Sequence, residues 1–178
     1  MIQKIFKVND KIIFLPNPRT IGWCMHSLAH DKLFPGVEVM VRKVKSAAGE
    51  ESVYPLSRWP AADFRSVKDL TPCPYLTGET VRLNYQVDAT FRADGVAVTW
   101  KNVHIDEGTF YVEWCEEELR KEGLGFDKIY EIERIEDSRI LYLKGVNLGF
   151  YWKFFRPVTD EELKTAKDGY ITTPRKVE

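Results

Sequence analysis

The chain is short of cysteine, histidine and long apolar runs, and each shortage removes a class of protein. Three cysteines occur in 178 residues, at 24, 73 and 115. Their odd number and wide spacing do not make a disulfide framework, and they suit small buried side chains in a reducing compartment. No apolar run approaches the 18 or more residues that cross a bilayer. The opening Met1-Ile2-Gln3-Lys4-Ile5-Phe6 is too short and too soon charged for a signal peptide, so a cytoplasmic protein is expected. Neither a glycine-rich phosphate loop nor a serine nucleophile elbow is present.

The catalytic combinations that remain are weak for physical reasons. Cys24, His26 and His30 are near enough to share a metal ion, but the residues 91 positions later are Cys115, Glu117 and Lys121. The set does not repeat, and no metal or cofactor is expected. A cysteine that directly follows a core tryptophan, as Cys24 and Cys115 do, reads as buried and inert rather than nucleophilic. The carboxylates at Asp106, Glu107, Glu113 and Glu116 to Glu118 are numerous. Successive helical residues point about 100° apart, however, so the three glutamates do not converge on one substrate. A non-enzymatic protein is the expectation.

What the sequence does contain is a stretch written twice. Trp23-Cys24, Leu33, Val44 and Phe64-Arg65-Ser66-Val67 are matched by Trp114-Cys115, Leu124, Ile135 and Phe155-Arg156-Pro157-Val158, each 91 positions later. The constant difference implies no insertion or deletion between the ends of the stretch, and a fixed period fixes architecture before any other signal. Two small units follow: residues 1–70, a proline-containing linker at 71–78, and residues 79–167, with a loose tail at 168–178.

Charge divides unevenly between them. Up to Leu70 there are 11 Lys and Arg against 7 Asp and Glu, a balance of +4; the remainder holds 15 against 20, or −5. The halves are therefore suited to different partners or to each other.

Periodicity reads as strands. Lys11 to Leu15 is a short apolar run behind an Asn9-Asp10 turn, and Gly36 to Lys45 alternates with Val37, Val39 and Val41 inward. Ser52 to Leu56 reads as an edge strand limited by Pro55. Trp59 to Phe64 reads as a single helical turn. In the second unit, Thr77 to Leu83 opens as the first unit did. Chain is then inserted at 85–111, with Val87, Ala89 and Phe91 alternating before Ala93-Asp94-Gly95 and Val96, Val98 and Trp100 after it. That is a β-hairpin signature. Glu116 to Gly123 reads as a helix with acids early, bases late and a glycine stop. Lys128 to Ile135 and Arg139 to Val146 form a strand pair, and Asp160 begins a last helical turn.

Short strands, a helical turn before the last of them and a closing Phe-Arg-x-Val resemble an SH3-like β-barrel. In particular, Gly125 to Ile135 followed by Gly149-Phe150-Tyr151-Trp152-Lys153-Phe154-Phe155-Arg156-Pro157-Val158 is similar to the small SH3-like proteins of bacteriophages. The resemblance covers 123–158 well and 21–67 less closely, and it does not extend to the insertion. It implies a mainly β fold of two SH3-like barrels in tandem, the second carrying a hairpin, and a phage accessory factor that engages or inhibits a host protein. It departs from signalling SH3 domains in lacking their acidic loop and paired tyrosines, so recognition of proline-rich peptides does not carry over.

Aromatic residues are abundant: five Trp, eight Tyr and ten Phe. Trp23, Trp114, Phe64 and Phe155 are assigned to the core. Six large residues in a row from Phe150 to Phe155 cannot all face inward, so Tyr151 and Trp152 are expected on an exposed platform. The candidate binding residues are Tyr151, Trp152, Phe154, Trp59, Arg58, Phe91, Trp100 and His104. The competing reading is a nucleic-acid-binding SH3-like protein of the KOW or Tudor type, drawing on Lys43, Lys45, Arg58, Arg65 and Lys68. The pI near 6.3 weighs against it.

Overall fold

The computed structural model describes residues 6–17, 31–47, 50–54, 58–93, 96–112 and 116–166, apart from the side chains of 88–93 and 96–100. Trp23, Cys24, His26, His30, Trp114 and Cys115, with which the repeat begins, lie outside the described residues, as does the tail. The described chain is mainly β, with fourteen strands and two short helices, and none of its four sheets closes on itself. Among the described residues no helix is long and apolar enough to cross a membrane.

Residues 6–70 form two three-stranded sheets. One is ordered β2 (Glu38–Met40), β1 (Lys11–Phe14), β6 (Phe64–Ser66); the other is β3 (Lys43–Ala47), β4 (Glu50–Tyr54), β5 (Trp59–Pro60). Residues 79–157 form one five-stranded sheet in the order β13 (Gly149–Tyr151), β12 (Ile140–Leu143), β11 (Tyr130–Glu136), β7 (Thr80–Leu83), β14 (Phe155–Pro157). Joining β2 to β3 across Val41-Arg42 turns the first arrangement into the second. In β11 the equivalent place is the register shift between Ile132 and Arg134, a bulge where the first half has a full break. The strand expected from Gly36 to Lys45 is thus two strands. The segment expected as an edge, β4, lies between β3 and β5.

The repeat extends to individual pairs. Ile12 faces Val39 as Val81 faces Tyr130, and Phe14 faces Phe64 as Leu83 faces Phe155. Val44 faces Val53 as Ile135 faces Leu141, and Ser52 faces Pro60 as Ile140 faces Tyr151. In these matches the displacement is 69 for the first strand, 91 for the second, 88 for the third and 91 for the last two. The constant 91 therefore hides a compensated change: the second hairpin is three residues shorter, and the loop after it three longer. Asp137 and Ser138, at φ 50° and 58°, make the tight turn that shortens it. Before each closing strand lies one 3-10 turn, at Ala61–Asp63 and Trp152–Phe154. The residues preceding those turns, Pro60 and Tyr151, have the same backbone angles, φ −60° and ψ 130°.

The insertion is larger than a hairpin. β8 (Gln86–Ala93), β9 (Val96–Ile105) and β10 (Gly108–Tyr111) form a meander in which Ala93 pairs with Val96 and Gly108 with Ile105. Phe110 and Val112 make the third strand cohere, and both are buried. Helix α1 (Glu116–Lys121) follows. Helix α2 (Asp160–Thr165) starts at Thr159, whose hydroxyl accepts the Glu162 N–H while the Glu162 carboxylate accepts the Thr159 N–H, a reciprocal capping box.

One continuous core serves both halves, from Phe14, Val37 and Phe64 to Tyr130, Phe150 and Phe155. The halves touch through the backbone: Val37 forms an antiparallel bridge to Phe150, and the Tyr151 N–H donates to the Gly36 carbonyl at 2.8 Å. Gly36 has φ +84°, and a Cβ there would lie 2.6 Å from the buried Phe154 ring. Gly36→Ala is expected to lower stability by about 2–4 kcal/mol, combining strain with overpacking. Gly78→Ala, at φ +91° with open space around it, is expected to lose only about 1–2 kcal/mol. Urea unfolding of both variants measures the difference.

Candidate functional site

The segment from Phe150 to Arg156 is mostly interior. Tyr151 is fully buried, which corrects its placement on an exposed platform, and Phe154, expected among the binding residues, is buried as well. The reason is that the second half has neighbours on both sides of this segment. The Tyr151 hydroxyl donates to Glu107 of the insertion and accepts the Thr71 N–H of the linker, both at 3.3 Å, and burial raises the phenol above its ordinary range. The Phe154 ring lies 5.5 Å from that of Phe110. Trp152 is the half-buried aromatic of the run: its Nε1–H donates to the Thr71 carbonyl at 2.8 Å, and its ring meets Tyr75 edge-on at 5.6 Å. Lys153 reaches Asp106 of the insertion at 2.5 Å.

These contacts give the linker its course. The Cys73 N–H donates to the Ser138 carbonyl at 2.6 Å, and the Tyr75 hydroxyl donates to the Phe155 carbonyl at 3.3 Å. Residues 71–75 are thus a strap fastened along the second half.

Of the other predicted residues, Trp59 is buried, with its Nε1–H 3.4 Å from Asp31. It is the counterpart of Phe150, a core position, so it is no surface anchor either. Arg58 is exposed and donates from Nε to the Ser52 hydroxyl at 3.1 Å. His104 is exposed, its Nδ1 2.9 Å from the Thr109 hydroxyl. Phe91 and Trp100 are strand residues by backbone, and their side chains lie outside the description. In the register Ala89 pairs with Trp100, Phe91 with Val98 and Ala93 with Val96. The structure therefore does not gather the eight predicted residues into one site. It leaves Trp152 at the strap, Arg58 by β5, and Phe91, Trp100 and His104 on the meander.

Two features were not singled out from the sequence. The first is a groove of about 670 Å³ where the halves meet, lined by Lys7, Asn9 to Lys11 and Ser66 to Lys68 on one side and Asp137 to Arg139 on the other. Lys11 reaches Asp137 at 3.0 Å and Glu136 at 3.5 Å. Arg139 ties the halves together, donating from Nε to the Leu70 carbonyl at 2.7 Å and from Nη1 to the Asp137 carbonyl at 2.9 Å. Beside the groove, the Tyr142 hydroxyl donates to Glu38 across the halves at 2.8 Å. Burial raises the Glu38 carboxyl, and the Tyr142 bond opposes that rise.

The second feature is a carboxylate between two guanidinium groups. Glu162 receives Arg156 at 2.5 and 3.0 Å and Arg82 at 2.9 Å, docking α2 against β7 and β14. Arg156 holds the Glu162 carboxyl well below the usual carboxylate range, aided by the Thr159 N–H and Arg82. Comparison with family models, curated proteins and solved structures finds no match. The chemistry must accordingly be read from these groups themselves.

A carboxyl depressed in the folded state stabilises above its unfolded pKa, and the contribution is lost as pH falls through the folded value. Glu162→Gln is expected to lower stability at pH 7 by about 1–2 kcal/mol, the scale of a partly exposed charge-assisted pair. The gap to the wild type should narrow as pH falls below about 4. Thermal unfolding of both proteins across that range measures it; a gap constant with pH would show that docking of α2 does not depend on the ionised carboxylate.

Proposed function

We propose that the chain is a tandem of two SH3-like units that acts without catalysis by binding another protein, with the inserted meander as its contact element. The SH3-like reading is supported by the strand order shared by the two halves and by the 3-10 turn that precedes the last strand in each. In the setting that the phage resemblance implies, the partner is a host protein that the chain engages or inhibits.

The observation that carries the binding reading is the ribbon made by β8 and β9. Among the described residues β8 pairs only with β9 and forms an edge eight residues long, roughly 26 Å at strand rise. At the far end of the same sheet, β10 pairs with residues 102–105 of β9, and Val103, Phe110 and Val112 bury that end. Among the described residues β9 pairs with β8 alone from 96 to 100, and at Lys101 the carbonyl already accepts the Val112 N–H at 3.1 Å. A two-stranded ribbon in water is marginal by itself. This one has no counterpart in the repeat, pairs Phe91 with Val98 and Ala89 with Trp100 in its register, and has an exposed Val87 at its start. An unpaired strand edge anchored to a rigid body suits strand addition to a protein partner.

A Phe91→Ser/Trp100→Ser variant is expected to keep the wild-type unfolding midpoint to within a few degrees and to lose the proteins that the wild type retains from a bacterial lysate. Equal recovery by both proteins would remove the ribbon from the binding surface.

A further inference from the structure

The groove between the halves has a charge arrangement that the fold does not require. Of the two carboxylates of the groove, Asp137 is paired with Lys11, while Asp10 accepts the Lys7 backbone N–H at 2.8 Å and keeps its charge, which leaves Lys7, Lys68 and Arg139 in excess of it. Lys7 and Lys68 are exposed and make no ion pair among the described residues. Arg139 is fixed by carbonyl oxygens of both halves, contacts that orient its guanidinium without neutralising it. The hydroxyls of Ser66 and Ser138, which also line the groove, make no hydrogen bond among the described residues. Three of the four non-glycine residues that the described chain holds at positive φ, namely Asn9, Asp137 and Ser138, line this same groove. Such conformations are retained where surrounding structure compels them, and they concentrate at binding sites.

We propose that this groove binds a phosphate group, held by Lys7, Lys68 and Arg139 with the hydroxyls of Ser66 and Ser138. A phosphate presents several oxygens and one or two negative charges, which match three cations and two hydroxyl donors better than the two oxygens of a carboxylate do. Two flexible ammonium groups supply charge, and the fixed guanidinium supplies direction. The residues come from both halves, so the site exists only while the halves are locked together. It shares no residue with the ribbon, and it stands or falls independently of the binding role assigned there.

The phosphate comes either from a free phosphate compound or from a nucleic-acid backbone, and two titrations separate these sources. In the first, sodium phosphate is added to 15N-labelled full-length protein, with sodium chloride at equal ionic strength as the reference. Resonances of residues 7–11, 66–68 and 137–139 are expected to shift with phosphate alone, and Lys7→Gln/Lys68→Gln should weaken the response at least fivefold. Both lysines are exposed, and an unchanged spectrum elsewhere shows that the variant is folded. In the second, a labelled single-stranded oligonucleotide is followed by anisotropy. Tighter binding than phosphate, reduced by the same variant and falling about 2.6-fold between 50 and 200 mM salt as one neutralised phosphate requires, assigns the phosphate to a nucleic-acid backbone. An oligonucleotide held no better than phosphate assigns it to a free compound. Shifts reproduced by chloride, or a variant that responds as the wild type does, would overturn the site.

Discussion

The structure depends on a backbone contact at which no side chain is allowed. Gly36 offers its carbonyl to the Tyr151 N–H, Val37 bridges to Phe150, and the Phe154 ring occupies the space where any other residue at 36 would place a Cβ. This contact covers the β13 edge of the five-stranded sheet, which would otherwise present unpaired groups. It also merges two cores. Units of roughly 70–90 residues bury little more than half of their unfolded surface and are marginal alone. Fusing them gives Phe14, Tyr130, Phe150 and Phe155 a common interior.

The same contact explains why the second copy is richer in large aromatics. Pro60, Ala61 and Asp63 of the first half correspond to Tyr151, Trp152 and Phe154 of the second, with the same 3-10 backbone beneath them. In the second half this turn is approached by Gly36, by the insertion through Glu107 and Phe110, and by the linker through Thr71 and Tyr75. The large side chains fill the space that those neighbours enclose. Their size answers an internal demand, which is why an unusual aromatic run proved to be mostly interior.

Much of the scaffold was legible because local signals and repetition agree. Acids early, bases late and a glycine stop mark Glu116 to Gly123 as helix, and the helix runs Glu116–Lys121; alternation places Val37 and Val41 inward, as their burial shows. Phe64 and Phe155 were assigned to the core from their repeated spacing, and both are buried. The three-residue compensation escaped because a hairpin shortened at Asp137-Ser138 and a loop lengthened before Gly149 leave every flanking difference at 91. β10 escaped because the four residues after the Asp106-Glu107 turn carry too little alternation to stand out. The surface was hardest to read. Whether Tyr151 faces solvent depends on Glu107 and Thr71, residues 44 and 80 positions away, and periodicity within one strand holds no information about either. The groove is likewise invisible to a linear reading, since it exists only through the relative placement of two turns.

Repetition and binding make opposite demands on a sequence, and the chain separates them. Positions that recur in both halves are core pairs or backbone turns, where exchange of one apolar residue for another keeps the register. Both surfaces proposed for binding lie at departures from the repeat. The meander is added after β7, where the chain leaves the sheet, so its growth disturbs no ladder hydrogen bond of the second half. The groove arises where the tip of the β11–β12 hairpin, shortened relative to its counterpart, meets the turn at Asn9-Asp10. Shortening draws Asp137, Ser138 and Arg139 back to the level of the first half, where Arg139 can reach the Leu70 carbonyl. A hairpin of the first half's length would carry its tip beyond that meeting point. The change that the constant spacing conceals is therefore the one that gives the two halves a shared surface.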